Sequence, residues 1–90
     1  MKTIWKFTLH IADGLQKVQM PSQSIIVSVH MANEPKDVCF WAVIESINPP
    51  VTRSFYVMGT GHLLPTSAVS YIGTAHDPEH GAVWHILEQG

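Results

Sequence analysis

The sequence has few charged residues and a single cysteine. Cys39 has no second cysteine to pair with, so no disulfide can form within the chain. Charged residues make up 13% of the 90 residues and hydrophobic residues 46%, whereas roughly 25% of an average globular domain is charged. We predict one small domain, residues 1–90, with too few charges to cover its surface. We therefore expect it to associate with further copies of itself.

An excess of positive charge is also missing. Five lysines and arginines stand against seven acidic residues, for a formal net charge of −2. A dedicated nucleic-acid binder needs a basic face, so that class is disfavoured, whereas a small anionic ligand is not. No run approaches the roughly 20 apolar residues that cross a bilayer. Polar residues also interrupt any signal peptide at the start. We expect a cytoplasmic protein without a membrane partner.

Alternation of apolar and polar residues is the strongest pattern present. Between Met1 and Ile11, the side chains of Trp5, Phe7 and Leu9 fall on one side of an extended chain. Period two is typical of a half-buried β-strand. The same pattern returns in Lys17–Met20, Ser24–Met31, Val38–Ser46, Arg53–Met58, Tyr71–His76 and Ala82–Glu88. About seven strands predict an all-β fold, a small antiparallel sandwich or barrel that is homo-oligomeric.

Turn residues join these strands. Asn33–Asp37 and Asp77–Gly81 are typical of hairpin turns, and Leu63–Ser70 has room for one helical turn. Both faces of Val38–Ser46 are apolar, which indicates a central strand. We predict that Trp41, within this strand, has a structural role.

Six histidines raise the question of a metal site. His76 and His80 are four residues apart, but Pro78 and Gly81 make this segment a turn and not the helix on which such ligands converge. We predict no metal site. Three further histidines, His10, His30 and His85, lie on strand faces opposite the most apolar set. They either cluster in space or lie singly on surfaces and interfaces.

Catalytic groups are not evident. Cys39 precedes Phe40 and Trp41, which predicts a buried thiol that behaves as a small apolar side chain. No paired acid and base can be identified. We predict a protein that is not an enzyme and needs no cofactor.

The segment Gly59–His62 is the best candidate for ligand binding. Its two glycines resemble the start of a dinucleotide fingerprint, although the third glycine and the helix are missing. A strand-ending turn or bulge is the structural alternative. Backbone amides beside His62 would suit an anion. Lys6 and Arg53 are the cations placed on strands, and the rings of Trp5, Tyr56, Tyr71 and Trp84 could stack on a base, with core packing as their alternative role. The predicted ligand-binding residues are Lys6, Arg53, Tyr56, Gly59, Thr60, Gly61, His62 and Trp84.

Five segments carry a resemblance over nearly the whole chain. They are Lys2–Phe7, Met20–Pro21, Arg53–Phe55 running into Gly59–His62, Tyr71–Thr74 and Val83–His85. In order and spacing they resemble a family of small phage-encoded proteins of unknown function. The resemblance implies a phage gene product that acts in the host bacterial cytoplasm.

Three functions are compatible with such a product. The first is an anti-defence protein that sequesters a nucleotide immune signal in a pocket of a β oligomer. The second is an inhibitor that lays an apolar patch or strand edge on a host protein. The third is a minor virion or assembly component. The low charge and the combination of Lys6, Arg53 and Gly59–His62 favour the first.

Overall fold

The part of the chain that the structure describes folds into seven antiparallel strands. A computed structural model describes residues 1–32, 37–65 and 68–90. The strands are β1 (Lys2–His10), β2 (Gln16–Pro21), β3 (Ile25–Met31), β4 (Asp37–Glu45), β5 (Pro50–Gly59), β6 (Val69–Asp77) and β7 (Ala82–Gln89). The described residues contain no helix long and apolar enough to cross a membrane.

Two sheets form the architecture. The three-stranded sheet has the order β1-β4-β3, and the four-stranded sheet has the order β2-β5-β7-β6. The predicted all-β class is therefore confirmed, with a sandwich of two sheets. The predicted turn over 33–37 falls mostly on residues 33–36, which lie outside the described part of the chain. No described residue of the segment 63–70 is helical, and β6 already begins at Val69.

The strand β4 is central, as its two apolar faces predict. It bonds to β1 on one side and to β3 on the other. Its inward side chains, Val38, Phe40, Ala42 and Ile44, are fully buried. The Phe40 ring lies 5.1 Å from the ring of Phe55 on the opposite sheet, so aromatic packing joins the two layers.

The outer face of β4 is only partly covered. Trp41 is half-buried there and packs edge-on against His30 at 5.3 Å. Its role is therefore to cover this face of the sheet and not to fill the core. Cys39 is buried, as predicted, although it lies on the same outward side.

A β-bulge divides the side chains that alternation assigns to one face of β3. The register shifts between Ile26 and Ser28. Val29 consequently packs on the core, while Ile25 and Val27 are more than half exposed. Strict alternation over Ser24–Met31 predicts that Ile25, Val27, Val29 and Met31 share one face. That prediction is wrong, because the extra residue of a bulge reverses the alternation.

The two sheets come very close where β3 meets β6. A Cβ atom added at Gly73 would lie 2.7 Å from Cγ2 of Val29. Real Cβ atoms do not come so close, so any side chain at position 73 would push the sheets apart.

Candidate ligand-binding cleft

Polar side chains form a row on the outer face of the four-stranded sheet. His85 of β7 is directly opposite Met58 of β5 and Thr74 of β6 in the strand registers. Side chains at directly opposed positions share a face. His85 therefore stands at the centre of a three-strand row near the end of the sheet.

A second bulge brings Tyr71 into this row. The β6 register shifts between Tyr71 and Gly73, which places Tyr71 on the same face as Thr74 despite their odd spacing. The Tyr71 hydroxyl lies 2.9 Å from Nδ1 of His85 and is also hydrogen-bonded to the Thr74 hydroxyl.

Thr60 completes the hydrogen-bond network from the loop after β5. Its Oγ1 lies 2.8 Å from Nε2 of His85. A neutral imidazole donates from one ring nitrogen and accepts at the other, so the tautomer of His85 decides whether Thr60 or Tyr71 donates to the ring. The positions of these polar atoms are thus fixed, whereas the direction of each hydrogen bond can reverse with the tautomer of His85.

The loop Gly59–His62 folds back on itself beside this network. Gly61 has a φ of 89°, a left-handed conformation that favours glycine. The reversal lets the His62 N–H donate to the Gly59 carbonyl at 3.2 Å, and the Gly59 N–H donate to Nδ1 of His62 at 3.3 Å. These two amides are therefore bonded within the loop and are not free to bind an anion.

Loop and network together line an open cleft of about 250 Å³, which we call the His85 cleft. Apolar side chains form its walls around the polar groups. Its lining residues are Met58, Gly59, Thr60, Gly61, His62, Leu64, Tyr71, His85 and Leu87.

Six of the eight predicted ligand-binding residues meet at this end of the sandwich. Gly59–His62 line the His85 cleft itself. His62 also lines a neighbouring cleft with Tyr56, and another, on the edge of the sandwich, with Trp84. The predicted residues thus surround His62 from both sides of the four-stranded sheet.

The two predicted cations lie elsewhere. Lys6 is exposed on β1, in the other sheet. Arg53 is part of an internal ion pair, since its Nε and one terminal nitrogen donate to the Glu88 carboxylate at 2.6 and 2.7 Å. Its other terminal nitrogen donates to the Ser24 carbonyl at 2.7 Å. The hydrogen bonds and charge of Glu88 raise the pKa of Arg53 further, against the opposing effect of burial. With its guanidinium satisfied in this way, Arg53 is not available to a ligand in the His85 cleft.

Three residues of the network, His85, Tyr71 and Thr74, lie outside the set of eight predicted ligand-binding residues. The sequence marks Tyr71 as a ring that could stack and His85 as an outward strand histidine, but alternation alone does not link them to each other or to Thr74. The signal that unites them is the bulge in β6, which sequence does not reveal. The three strand histidines do not cluster, because His85 lies on one sheet and His10 and His30 on the other.

The turn between β6 and β7 contains a separate cluster of ionisable groups, away from the His85 cleft. Oxygen and nitrogen atoms of Asp77, Glu79 and His80 lie within 4.8 Å of one another, without His76. Asp77 accepts from the His80 backbone at 3.3 Å, and its other oxygen is 2.9 Å from Nδ1 of His80. Burial raises the pKa of Asp77, but the hydrogen bonds and charge of His80 outweigh it, and the pKa is lowered. The hydrogen bonds between Asp77 and His80 stabilise the hairpin turn, and this structural role explains why the three side chains lie close together.

Comparison with known proteins places the chain in a family. No curated protein matches it, and no solved structure matches it either. A domain of unknown function, DUF7352, matches residues 1–90, the whole of the sequence. The protein therefore belongs to the DUF7352 family.

Proposed function

We propose that this protein binds a small nucleotide in the His85 cleft and releases it chemically unchanged. The observation that carries the proposal is the Thr60–His85–Tyr71 network in the lining of a cleft whose other walls are largely apolar. Small-molecule sites typically combine apolar walls with a few placed polar groups.

The cleft offers groups that suit a nucleobase or a sugar more than a phosphate. Its polar side chains are hydroxyls and imidazoles, and none of its lining residues is a lysine or arginine. The Tyr71 ring is 58% exposed beside His85, and an exposed ring is a surface on which a base can stack. The phosphates of a bound nucleotide would then point out of the cleft.

The cleft volume supports a ligand that is only partly enclosed by one chain. Pockets that bury most of a drug-sized ligand measure about 300–1,000 Å³, whereas the His85 cleft measures about 250 Å³. A single base or sugar ring fits this space. The rest of a nucleotide would be exposed, or covered by another copy of the protein.

The biological role that we propose is sequestration of a nucleotide immune signal by a phage accessory protein in the host cytoplasm. The resemblance to small phage-encoded proteins supports the phage origin. Retention without conversion is supported by the network itself, in which His85 is oriented by a phenol and not by a carboxylate, the usual third member of a hydrolytic triad.

The test is retention of a ligand from a defined panel. Cyclic nucleotides and ADP-ribose derivatives are incubated with the protein, the mixture is filtered, and the retained fraction is heated and analysed by mass spectrometry. We expect at least one panel member to be retained and recovered unchanged. His85→Ala should weaken retention at least about tenfold, a loss of about 1.4 kcal/mol, because the two ring nitrogens of His85 hold in place the Thr60 and Tyr71 hydroxyls that would contact the ligand.

His30→Ala is the matched control, because His30 is also an outward strand histidine but lies on the other sheet. Equal loss in both variants would contradict a specific role for the cleft. Retention of no panel member would contradict nucleotide binding, and a converted product would indicate an enzyme.

An inhibitor of a host protein is the second candidate. Leu64, which is 56% exposed, lines the cleft together with exposed Tyr71, and Leu63, which is 91% exposed, lines the neighbouring cleft with Tyr56 and His62. Such adjacent apolar side chains are typical of protein-binding surfaces. Leu63→Asp should abolish inhibition of a protein target while leaving nucleotide retention intact, so the two functions can be separated.

A further inference from the structure

The strand β1 is a long sheet edge. It has nine residues and, among the strands that the structure describes, it bonds to β4 alone. The other three edge strands carry protective features: β2 has six residues and ends in Pro21, while β3 and β6 contain bulges. Short length, proline, bulges and charged side chains are means by which natural sheets avoid pairing at their edges. β1 has no proline and no bulge, and its charged protection consists of Lys2 and Lys6, which restrict the register of pairing but do not block every register.

The free hydrogen-bonding groups of β1 can be assigned from its last residue. The Gln16 side chain accepts from the His10 N–H at 2.8 Å and donates to the His10 carbonyl at 2.7 Å. The backbone groups of His10 therefore point away from β4. Alternate residues of a strand direct these groups to the same side. Those of Lys2, Ile4, Lys6 and Thr8 thus point outward, and within the described part of the chain they have no partner.

We propose that β1 pairs antiparallel with β1 of a second copy, with the two-fold axis beside Trp5. This inference is independent of the proposed ligand. The pairing joins two three-stranded sheets into one six-stranded sheet. An isologous contact of this kind places the same strand on both sides of the axis.

Charge selects the register. An axis beside Ile4 would place Lys2 opposite Lys6 of the second copy, and an axis beside Lys6 would place Lys6 opposite itself. Like charges at directly opposed positions are destabilising. An axis beside Trp5 opposes Lys2 to Thr8 and Ile4 to Lys6. It uses all four free residues of each chain and forms about eight backbone hydrogen bonds.

The exposed Trp5 ring gives this register an apolar contact. Trp5 is 44% exposed on the inward side of β1, at the open edge of the sandwich. Its ring lies 6.5 Å from that of Phe7, which stacks on buried Phe40 at 5.3 Å. Side chains opposed across antiparallel strands have Cβ atoms about 4.5–5.5 Å apart. The two Trp5 rings would therefore meet and extend the core across the axis.

Introducing a charged residue at position 5 tests both the interface and its register. In the proposed register, position 5 is the one position of β1 that lies opposite the same position of the second copy. Sedimentation equilibrium should show a dimer for the parent protein and at least tenfold weaker association for Trp5→Lys and for Trp5→Glu. An equimolar mixture of the two variants should recover the dimer. Ile47→Lys is the control, since Ile47 is 82% exposed but lies off the edge, and its dimer should be unchanged.

Several results would overturn the proposal. These are a parent protein that stays monomeric at about 100 μM, Trp5 variants that remain dimeric, or folded Lys and Glu variants that do not associate when mixed. If those variants do not fold, Trp5→Cys replaces them. On oxidation it should form a disulfide-linked dimer, whereas Ile4→Cys, which would face Lys6, should not. Folded Trp5→Cys that stays uncrosslinked would also overturn it.

Discussion

The ion pair between Arg53 and Glu88 should contribute strongly to the free energy of unfolding. The two side chains are 22% and 19% exposed, so solvent screens them less than a surface pair. The guanidinium makes two hydrogen bonds to Glu88 and one to the Ser24 carbonyl, and it lies 5.9 Å from the Phe55 ring centroid. Arg53→Ala removes all four contacts and leaves Glu88 partly buried without its partner.

The size of the effect follows from these contacts. Removing one partner of a fully buried pair costs about 3–5 kcal/mol, whereas exposed pairs contribute about 0–1 kcal/mol. For this partly exposed pair we expect about 2–3 kcal/mol. The unsatisfied Ser24 carbonyl adds about 1 kcal/mol. Arg53→Ala should therefore destabilise the fold by about 3–4 kcal/mol, a large part of the roughly 5–13 kcal/mol of a 90-residue domain.

A double-mutant cycle in urea isolates the pair. Arg53→Ala, Glu88→Ala and the double variant are unfolded in parallel, and the coupling free energy is obtained from the three changes in stability. We expect a coupling of about 2 kcal/mol. Arg53→Lys should be intermediate, because one ammonium group lacks the fork that bonds Glu88 and Ser24 together. A coupling below about 0.5 kcal/mol would refute the reasoning, since that value belongs to a surface pair.

Two further predictions concern the four-stranded sheet. Gly73→Ala should destabilise the fold by about 1–3 kcal/mol, because its Cβ would overlap Val29. In urea unfolding, adding Val29→Ala should recover part of that loss, and strictly additive effects would contradict the overlap. Asp77 has a lowered pKa in the fold, so its contribution to stability should be present above its unfolded pKa of about 3.9 and be lost as pH falls through the folded value. Urea unfolding between pH 7 and pH 2 measures this loss, and His80→Ala should remove most of it; an unchanged acid dependence in that variant would contradict the role of His80.

Alternation identified the strands well because it reports directly which side chains are buried. In β4 the predicted faces and the central position are both confirmed. In β3 the same pattern misplaced Ile25 and Val27. A bulge changes which face each residue occupies, and the composition of the strand does not show where the extra residue is.

The candidate site was only partly predictable for two physical reasons. The Gly59–His62 loop is local in sequence, and its glycines indicate a tight turn directly. The role of Arg53 depends on Glu88, 35 residues later, and a partner at that distance is set by the sheet order and not by any local pattern. A lone arginine in a strand therefore looks like a free cation until the fold provides its partner.

The two proposed surfaces make a joint prediction about ligand binding. The His85 cleft opens on the four-stranded sheet, whereas β1 is an edge of the three-stranded sheet. If one chain supplies the whole ligand site, the monomeric Trp5→Lys variant should retain a ligand as well as the dimer does. If retention falls together with dimerisation, a second copy must cover the cleft, and the cleft and the β1 edge would form one assembled site. Measuring retention at protein concentrations above and below the dimer dissociation constant distinguishes these cases. Retention that stays constant across that range would leave the β1 contact with a purely structural role.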